Sequence, residues 1–497
     1  MVSRMVIPLS MPRESNERIF IMKRQTIHLP VKKPFLLFAL VFAAAGTVCA
    51  ESLHDSSSTA IGYPAIAGLR TSNLYRVKVN NRDVWTERFL TSMDTSKMPD
   101  WFLESYTRVP QEIHQASFSC SGKLSVSIRV PHAITKASVH PTSREIQQSV
   151  KGNLLTFSLP GPGQVYVQID DLPPLFVFAN PLEQDAIARD DPGVHYFGPG
   201  VHRPGLVTLK DNETVYIAPG AIVYGGIRAK GARNIRVIGR GILDGGFEFN
   251  QMVLVDDCTN VLFEGVMIRN GDCWTNTLVN CDRLRYNYVK VLSFGPGGDG
   301  IDPLGSRAIV ISNCFLRCTD DCIAIKAPAP DHGVDDVLIT DNIMIGFAFS
   351  DGVTIGFETN AMSISNIIVR NCDVILARGG SRVDGHSGFS IICDGPAVIS
   401  NVLFENIHVE KSEVKLFELQ ITDGTKYGVG PPGHIQNITL KDISWAHPGP
   451  IVLKGWDENH RVQKVTFINC SIAGKPLRDR ESESMHVGSF VDDVTVR

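Results

Sequence analysis

Ile367-Ile368-Val369-Arg370-Asn371-Cys372, Val402-Leu403-Phe404-Glu405-Asn406-Ile407 and Ile438-Thr439-Leu440-Lys441-Asp442-Ile443 share one pattern: apolar–x–apolar–x–(Asn, Asp or Gly)–small or apolar. It also starts at Val261, Ile309, Val337 and Val465, with looser copies at Ile235 and Leu284. Successive starts lie 26, 23, 25, 28, 30, 35, 36 and 27 residues apart. Short strands at such a period, with no helical periodicity between them, mark a β-solenoid. The expectation is a right-handed parallel β-helix, in which alternate residues point inward and stack on their equivalents about 4.8 Å away. Leucine-rich repeats share the period but need regular leucines and a helical return arm, and both are absent. The recurrent Asn or Asp suits a ladder of turns, because its side chain can satisfy backbone groups at each bend. Intervals of 35 and 36 exceed a bare coil, so the late coils should carry loops that rise around a cleft.

Upstream of the repeat, residues 73–181 read as short alternating strands, such as Leu124-Ser125-Val126-Ser127-Ile128 and Val165-Tyr166-Val167-Gln168-Ile169. Turn-formers such as Pro160-Gly161-Pro162-Gly163 separate them, which suggests a small antiparallel β-sandwich. The expected organisation is all-β: a sandwich over residues 51–182, a polar junction, and the solenoid over residues 193–497. Residues 1–50 read as an export signal. Residues 35–45 are apolar, Lys23, Arg24, Lys32 and Lys33 precede them, and Val48-Cys49-Ala50 offers a small-residue cleavage site. A start at Met22 would make the basic region tidier. A helix of that length covers only about half of a ~30 Å hydrocarbon core, so a membrane span is disfavoured. A lipid anchor on Cys49 is the alternative, although the preceding residues fit a lipobox poorly.

The formal net charge of −4 across 497 residues supplies no basic field for nucleic acid. A hydrophobic content of 43% excludes a largely disordered chain. Ten cysteines follow Ala50. In an exported protein they could pair, but several recur at one position of the repeat, where a small buried side chain suffices. Cys314, Cys318 and Cys322 have no histidines at zinc-ligand spacing.

The densest acidic constellation is Gly297-Gly298-Asp299-Gly300-Ile301-Asp302 followed by Thr319-Asp320-Asp321-Cys322-Ile323-Ala324-Ile325-Lys326. Asp320 follows Asp299 by 21 residues and Asp351 follows Asp321 by 30, each close to one coil. The carboxylates therefore fall on neighbouring coils of one face, where like charges raise at least one pKa. One protonated acid beside an ionised base is what glycosidic cleavage requires. Acidic ladders on solenoids also bind Ca²⁺, so that alternative stays open.

From His195 to about Leu477 the chain resembles the polygalacturonase-type glycoside hydrolases of family 28. The resemblance is carried by Asp299-Gly300-Ile301-Asp302, by the Asp320-Asp321-Cys322-Ile323-Ala324-Ile325-Lys326 string, and by Asn270-Gly271-Asp272-Cys273-Trp274-Thr275. A sandwich joined to such a helix is similar to family 49, the dextranase group, which shares the mechanism. The resemblance implies inversion in one displacement, with Asp320 as general acid and Asp299 and Asp321 holding and deprotonating the attacking water. It implies no cofactor, and a polysaccharide or oligosaccharide as partner. Candidate substrate-binding residues are Asp302, Lys326, Asp351, Glu358, His386, Glu418 and Trp456, with Trp274, Gln420 and Asp457 beside them.

Two departures bear on the substrate. Where the family shows Gly-His-Gly, this chain reads Ser350-Asp351-Gly352, and where the family carries Arg-Ile-Lys to clamp the galacturonate carboxylate, it has Ser390-Ile391-Ile392. At about 1.5–3 kcal/mol per charged hydrogen bond, losing both cations costs an anionic substrate several kcal/mol. A neutral sugar fits the sequence better. The rivals are a polysaccharide lyase, which wants a uronate and a basic residue, and a non-catalytic glycan-binding solenoid, which has no need of the three-aspartate spacing.

Overall fold

The computed structural model describes residues 58–497, apart from residues 92–93, 99, 101–102, 104–105, 185–186, 379–386, 424 and 426. The expected signal region, with Met22 and Cys49, and the candidate His386 lie outside the described residues. Ser56–Arg497 is one compact unit.

Inward stacking of apolar side chains builds a right-handed parallel β-helix whose sheet has thirty strands among the described residues, from Val194–Phe197 to Val491–Val496, all paired in parallel except the short hairpin of Ser471–Ile472 with Lys475–Pro476. Each full coil contributes a strand to three faces. On the first face the Cα partners run Ile235, Val261, Leu284, Ile309, Val337, Ile367, Val402, Ile438 and Val465, which are the start positions of the repeat. All nine are buried, and they belong to one apolar core with the inward residues of the other faces. Burying such columns is the main driving force for the coil.

The turn leaving this face holds Asn313, Asp341, Asn371, Asn406, Asp442 and Asn469 at φ between 50° and 60°. Asn and Asp tolerate this left-handed geometry better than other side chains. Their amides also bridge coils: Asn406 Nδ2 donates to Asn371 Oδ1 at 2.9 Å and Asn469 Nδ2 to Asp442 Oδ1 at 2.6 Å. A second ladder precedes the face, with Asn234, Asn260, Asn366, Asn401 and Asn437 at φ 56–58°. The ten cysteines of the described residues are free thiols, and Cys258, Cys281, Cys314, Cys372 and Cys470 lie in the solenoid core.

The preceding strands form a sandwich of seven-stranded and five-stranded sheets. Pairing is antiparallel, with one exception. Leu175–Pro181 forms a hairpin with Gly163–Ile169 and so returns parallel to Glu112–Ser121. The larger sheet lies over the second face of the solenoid. Phe176 and Phe178 meet Phe315 at ring distances of 5.0 and 5.1 Å. Arg269 reaches Glu87 across the junction at 3.0 Å and Asp244 within the solenoid at 2.7 Å, and all three side chains are buried. With the second face covered, the turns leading into the third face are left to form a site. No helix among the described residues is long and apolar enough to cross a membrane.

Candidate active site

Third-face strands Ile301–Leu304, Ile323–Ala327, Val353–Thr359, Ser387–Cys393 and Lys415–Ile421 pair in parallel. Two residues ahead of the paired positions, the register stacks Trp274, Asp299, Asp321, Asp351, Ser387 and Lys415 on successive coils. The backbone ladder continues through these turns: Thr275 N donates to Asp299 O at 3.1 Å, Gly300 N to Asp321 O at 2.8 Å, and Cys322 N to Asp351 O at 3.0 Å. Gly300 is required by the close approach, since a Cβ there would sit 2.4 Å from Cys322 O and 2.9 Å from Cys318 Sγ. Adjacent coils lie about 4.8 Å apart, so Asp299, Asp320 and Asp321 gather at two neighbouring turns.

Asp320 and Asp321 are half-buried, whereas Asp299 is 2% exposed. Asp320 Oδ1 accepts from Asp321 N at 3.0 Å, and Asp321 Oδ1 accepts from Asp351 N at 3.0 Å. Ser350 Oγ donates to the Asp320 carbonyl and pins the turn. Lys326 Nζ lies 3.5 Å from both Asp299 Oδ2 and Glu358 Oε2, and 4.2 Å above the Trp274 ring. The carboxylates and the lysine thus form one alternating cluster.

Burial, reinforced by the charge of Asp299, holds the Asp320 carboxyl well above its ordinary range. Asp321 is likewise held well above its ordinary range, by burial and by Asp351 and Asp320. Burial also raises Asp299, but the Lys326 ammonium opposes it, which favours the ionised form here within the trio. Asp302 is fully buried and raised by burial and Asp299, and neither of its oxygens finds a conventional hydrogen bond. Burial alone would lower Lys326, but Glu358, Asp299 and Asp302 hold it well above its ordinary value. Within the trio the push toward the protonated form is larger for Asp320 and Asp321 than for Asp299, which has the Lys326 ammonium beside it.

The remaining candidates divide by position. Asp351 is buried, and its carboxylate accepts from Ser387 N at 2.6 Å and Ser387 Oγ at 3.3 Å. Glu418 is 1% exposed and accepts from Lys415 Nζ at 2.7 Å. Asp302, Asp351 and Glu418 therefore have almost no surface of their own to offer a sugar. Glu358 sits at the cluster beside Lys326. Trp456 is 40% exposed on the turn after Ile451–Lys454, four coils beyond Asp321 and so about 19 Å along the axis. A saccharide would have to span that gap to touch both. Ser390 and Ile392 are buried on the same face as Asp302 and Glu418. Lys415, Ser387, Phe357 and Tyr427 escaped the sequence reading, although the register alone would have placed the first two. Among the described residues, no group of three or more His, Cys, Asp or Glu side chains is arranged to hold a metal ion.

The family model for glycosyl hydrolases family 28 matches residues 228–486, just over half of the chain and the whole of this cluster. The chain belongs to that family. Exopolygalacturonase B of Aspergillus niger is 22% identical over 245 residues, covering 43% of this chain and 54% of that protein. A probable exopolygalacturonase B of Neosartorya fischeri is 23% identical over 216 residues, covering 37% of this chain and 45% of that protein. The chain thus spans about half the length of the curated relatives it matches. Dex49A from Penicillium minioluteum, a solved structure, superposes with a TM-score of 0.56 at 14% identity, covering 88% of this chain and 96% of that one. That match extends over the sandwich as well as the helix, and it shows a shared fold.

Proposed function

We propose that this chain is an inverting glycoside hydrolase acting on a neutral polysaccharide or its oligosaccharides. Asp320, half-buried and with its carboxyl pushed toward the protonated form, donates its proton to the departing glycosidic oxygen. Asp299 and Asp321 hold a water molecule, and Asp299, with the Lys326 ammonium beside it, withdraws its proton as the water attacks the anomeric carbon from the opposite side. Inverting pairs need roughly 6.5–9.5 Å between carboxyls to admit that water, a gap that neighbouring turns can supply. The observation that carries the reading is the stack of Asp299 and Asp321 on consecutive coils, with Asp320 beside them and Lys326 on Asp299.

Support for a neutral sugar is electrostatic. Ser390 and Ile392 put no cation on the third face, and the nearby ammonium groups are already engaged: Lys326 with Asp299 and Glu358, and Lys415 with Glu418. A uronate would therefore meet no free cation among the named groups. The names of the curated relatives favour polygalacturonate instead, so the test sets the two substrates against each other. Export through the leader expected over residues 1–50 would bring the enzyme to polymers outside the cell.

Reducing-sugar release is measured on dextran, neutral galactans and polygalacturonate, with the parent and with Asp320→Asn. The expected result is release from a neutral polymer, reduced at least ~10²-fold in the variant, within the range of a lost general acid. Release at the parental rate by Asp320→Asn would end the hydrolytic reading. Efficient cleavage of polygalacturonate would end the neutral-sugar reading while leaving hydrolysis in place.

A further inference from the structure

The strand Val353–Thr359 does not run evenly. Ile355 pairs with Ile325, but the next partner of Ala327 is Thr359, so two extra residues bulge from the wall of the solenoid. The bulge includes Phe357 and Glu358, and Glu358 sits at φ +51°. Bulges of this kind re-aim side chains beside functional sites. Glu358 turns back to Lys326 of the preceding coil, while its Oε2, 3.5 Å from the ammonium, accepts no hydrogen bond. Phe357, its neighbour, meets the Tyr427 ring at 6.0 Å and 62°.

Tyr427 arrives from two coils further on, in the loop after Lys415–Ile421, one of the long late intervals of the repeat. Its position is held by a dense polar frame. Asn360 Nδ2 donates to Tyr427 O at 3.3 Å, Val429 N donates to Asn360 Oδ1 at 2.8 Å, and Thr425 Oγ1 donates to Asp394 Oδ2 at 2.7 Å. Asp394 is itself buried and accepts from Thr359 N and Oγ1 at 3.1 and 3.0 Å. Gly428 lies so close to Asp394 O that a Cβ would stand 1.7 Å away. The frame ends in an aromatic ring that keeps 42% of its surface exposed, beside a half-buried phenylalanine. Ordering a loop costs conformational entropy, and here the apolar product of that ordering faces water next to the carboxylate cluster.

We propose that Phe357 and Tyr427 form a stacking subsite for a pyranose ring of the same neutral glycan chain that the aspartates cleave, a sugar unit removed from the scissile bond. This rests on the proposed function above. Carbon-bound hydrogens on one face of a pyranose suit the negative π face of an aromatic ring. Continuity with the cluster runs through Glu358 to Lys326 and Asp299, each step 3.5 Å.

Electrophoresis of the Asp320→Asn protein through native gels containing dextran, galactan or polygalacturonate separates binding from cleavage. Dextran or galactan should retard it. Adding Tyr427→Ala or Phe357→Leu should raise the apparent Kd about tenfold, the loss of one stacking contact, whereas Tyr427→Phe should keep the retardation. Thermal unfolding at the parental temperature establishes that the variants are folded, and Phe357→Leu, which keeps the apolar volume, covers the case in which Tyr427→Ala does not fold. Equal retardation with and without the aromatic rings overturns the subsite, as does loss in Tyr427→Phe to the extent seen in Tyr427→Ala, or no retardation of the Asp320→Asn protein by either neutral polymer. Sugar release by Asp320→Asn at the parental rate would instead remove the hydrolase reading, with the gel pattern still deciding the stacking site.

Discussion

Asp351 stands where the family pattern has a histidine, and its two ends do different work. Its amide donates to Asp321, while its carboxylate is turned away onto Ser387. Buried there, the carboxyl is pushed up from 3.8 to about 7, with Glu418 adding to the effect of burial and Ser390, Ser387 and Lys415 opposing it. The folded protein therefore holds this proton up to about pH 7, while the unfolded chain releases it near 3.8. Between those values the folded state binds more protons, so its stability falls as pH rises through the window. Asp299, Asp302, Asp320 and Asp321 are displaced in the same direction. We expect the Tm of the parent to be higher at pH 5 than at pH 7.5, and Asp351→Asn to shrink that difference. The measurement is calorimetry at the two pH values, and an unchanged difference in the variant would show that Asp351 is not the group responsible.

At the scale of the element, the strands and turns of one coil are set by different residues. Apolar alternation makes the strands, and the left-handed asparagines make the corners. Asn406 is exposed, at φ 51°, and hydrogen-bonded only through its side chain to the coil before among the contacts described above. An alanine there must hold a left-handed backbone at a cost of about 1–2 kcal/mol, whereas glycine holds it without a Cβ penalty. Denaturant unfolding should therefore show Asn406→Ala destabilised by roughly 1 kcal/mol or more and Asn406→Gly by less; the opposite order would mean that the side-chain ladder outweighs the backbone. The corner after each first-face strand was legible because Asn or Asp recurs at one position of the repeat. The bulge at Phe357–Glu358 was not, since two extra residues in a strand leave no periodic mark in a segment whose coils already vary from 23 to 36 residues.

Across the whole molecule, the sandwich and the solenoid are joined by a buried ion cluster as well as by apolar contact. Arg269 is shared between Glu87 of the sandwich and Asp244 of the coil, and Gln115 also donates to Glu87 at 2.7 Å. Removing one partner of a buried pair is costly, about 3–5 kcal/mol, because the other charge stays desolvated. Glu87→Ala should lower the Tm clearly at neutral pH, even though Glu87 is remote in sequence from every residue placed in the chemistry. A parental Tm in that variant would assign the junction to its aromatic contacts, Phe176 and Phe178 on Phe315.

The parallel β-helix, its register and the meeting of Asp299, Asp320 and Asp321 were determined by the sequence alone, because a solenoid turns spacing along the chain into height along an axis. Any two residues one coil apart must become neighbours. What lies between the turns and the solvent follows no such rule. Only the tertiary structure decided that Asp302, Asp351 and Glu418 are sealed while Asp320 and Asp321 are half-buried, that Lys326 is claimed by Asp299 and Glu358, and that Trp456 stands four coils away. It also brought Tyr427 down onto Phe357, since loops of unequal length fold back over coils by side-chain hydrogen bonds that obey no repeat.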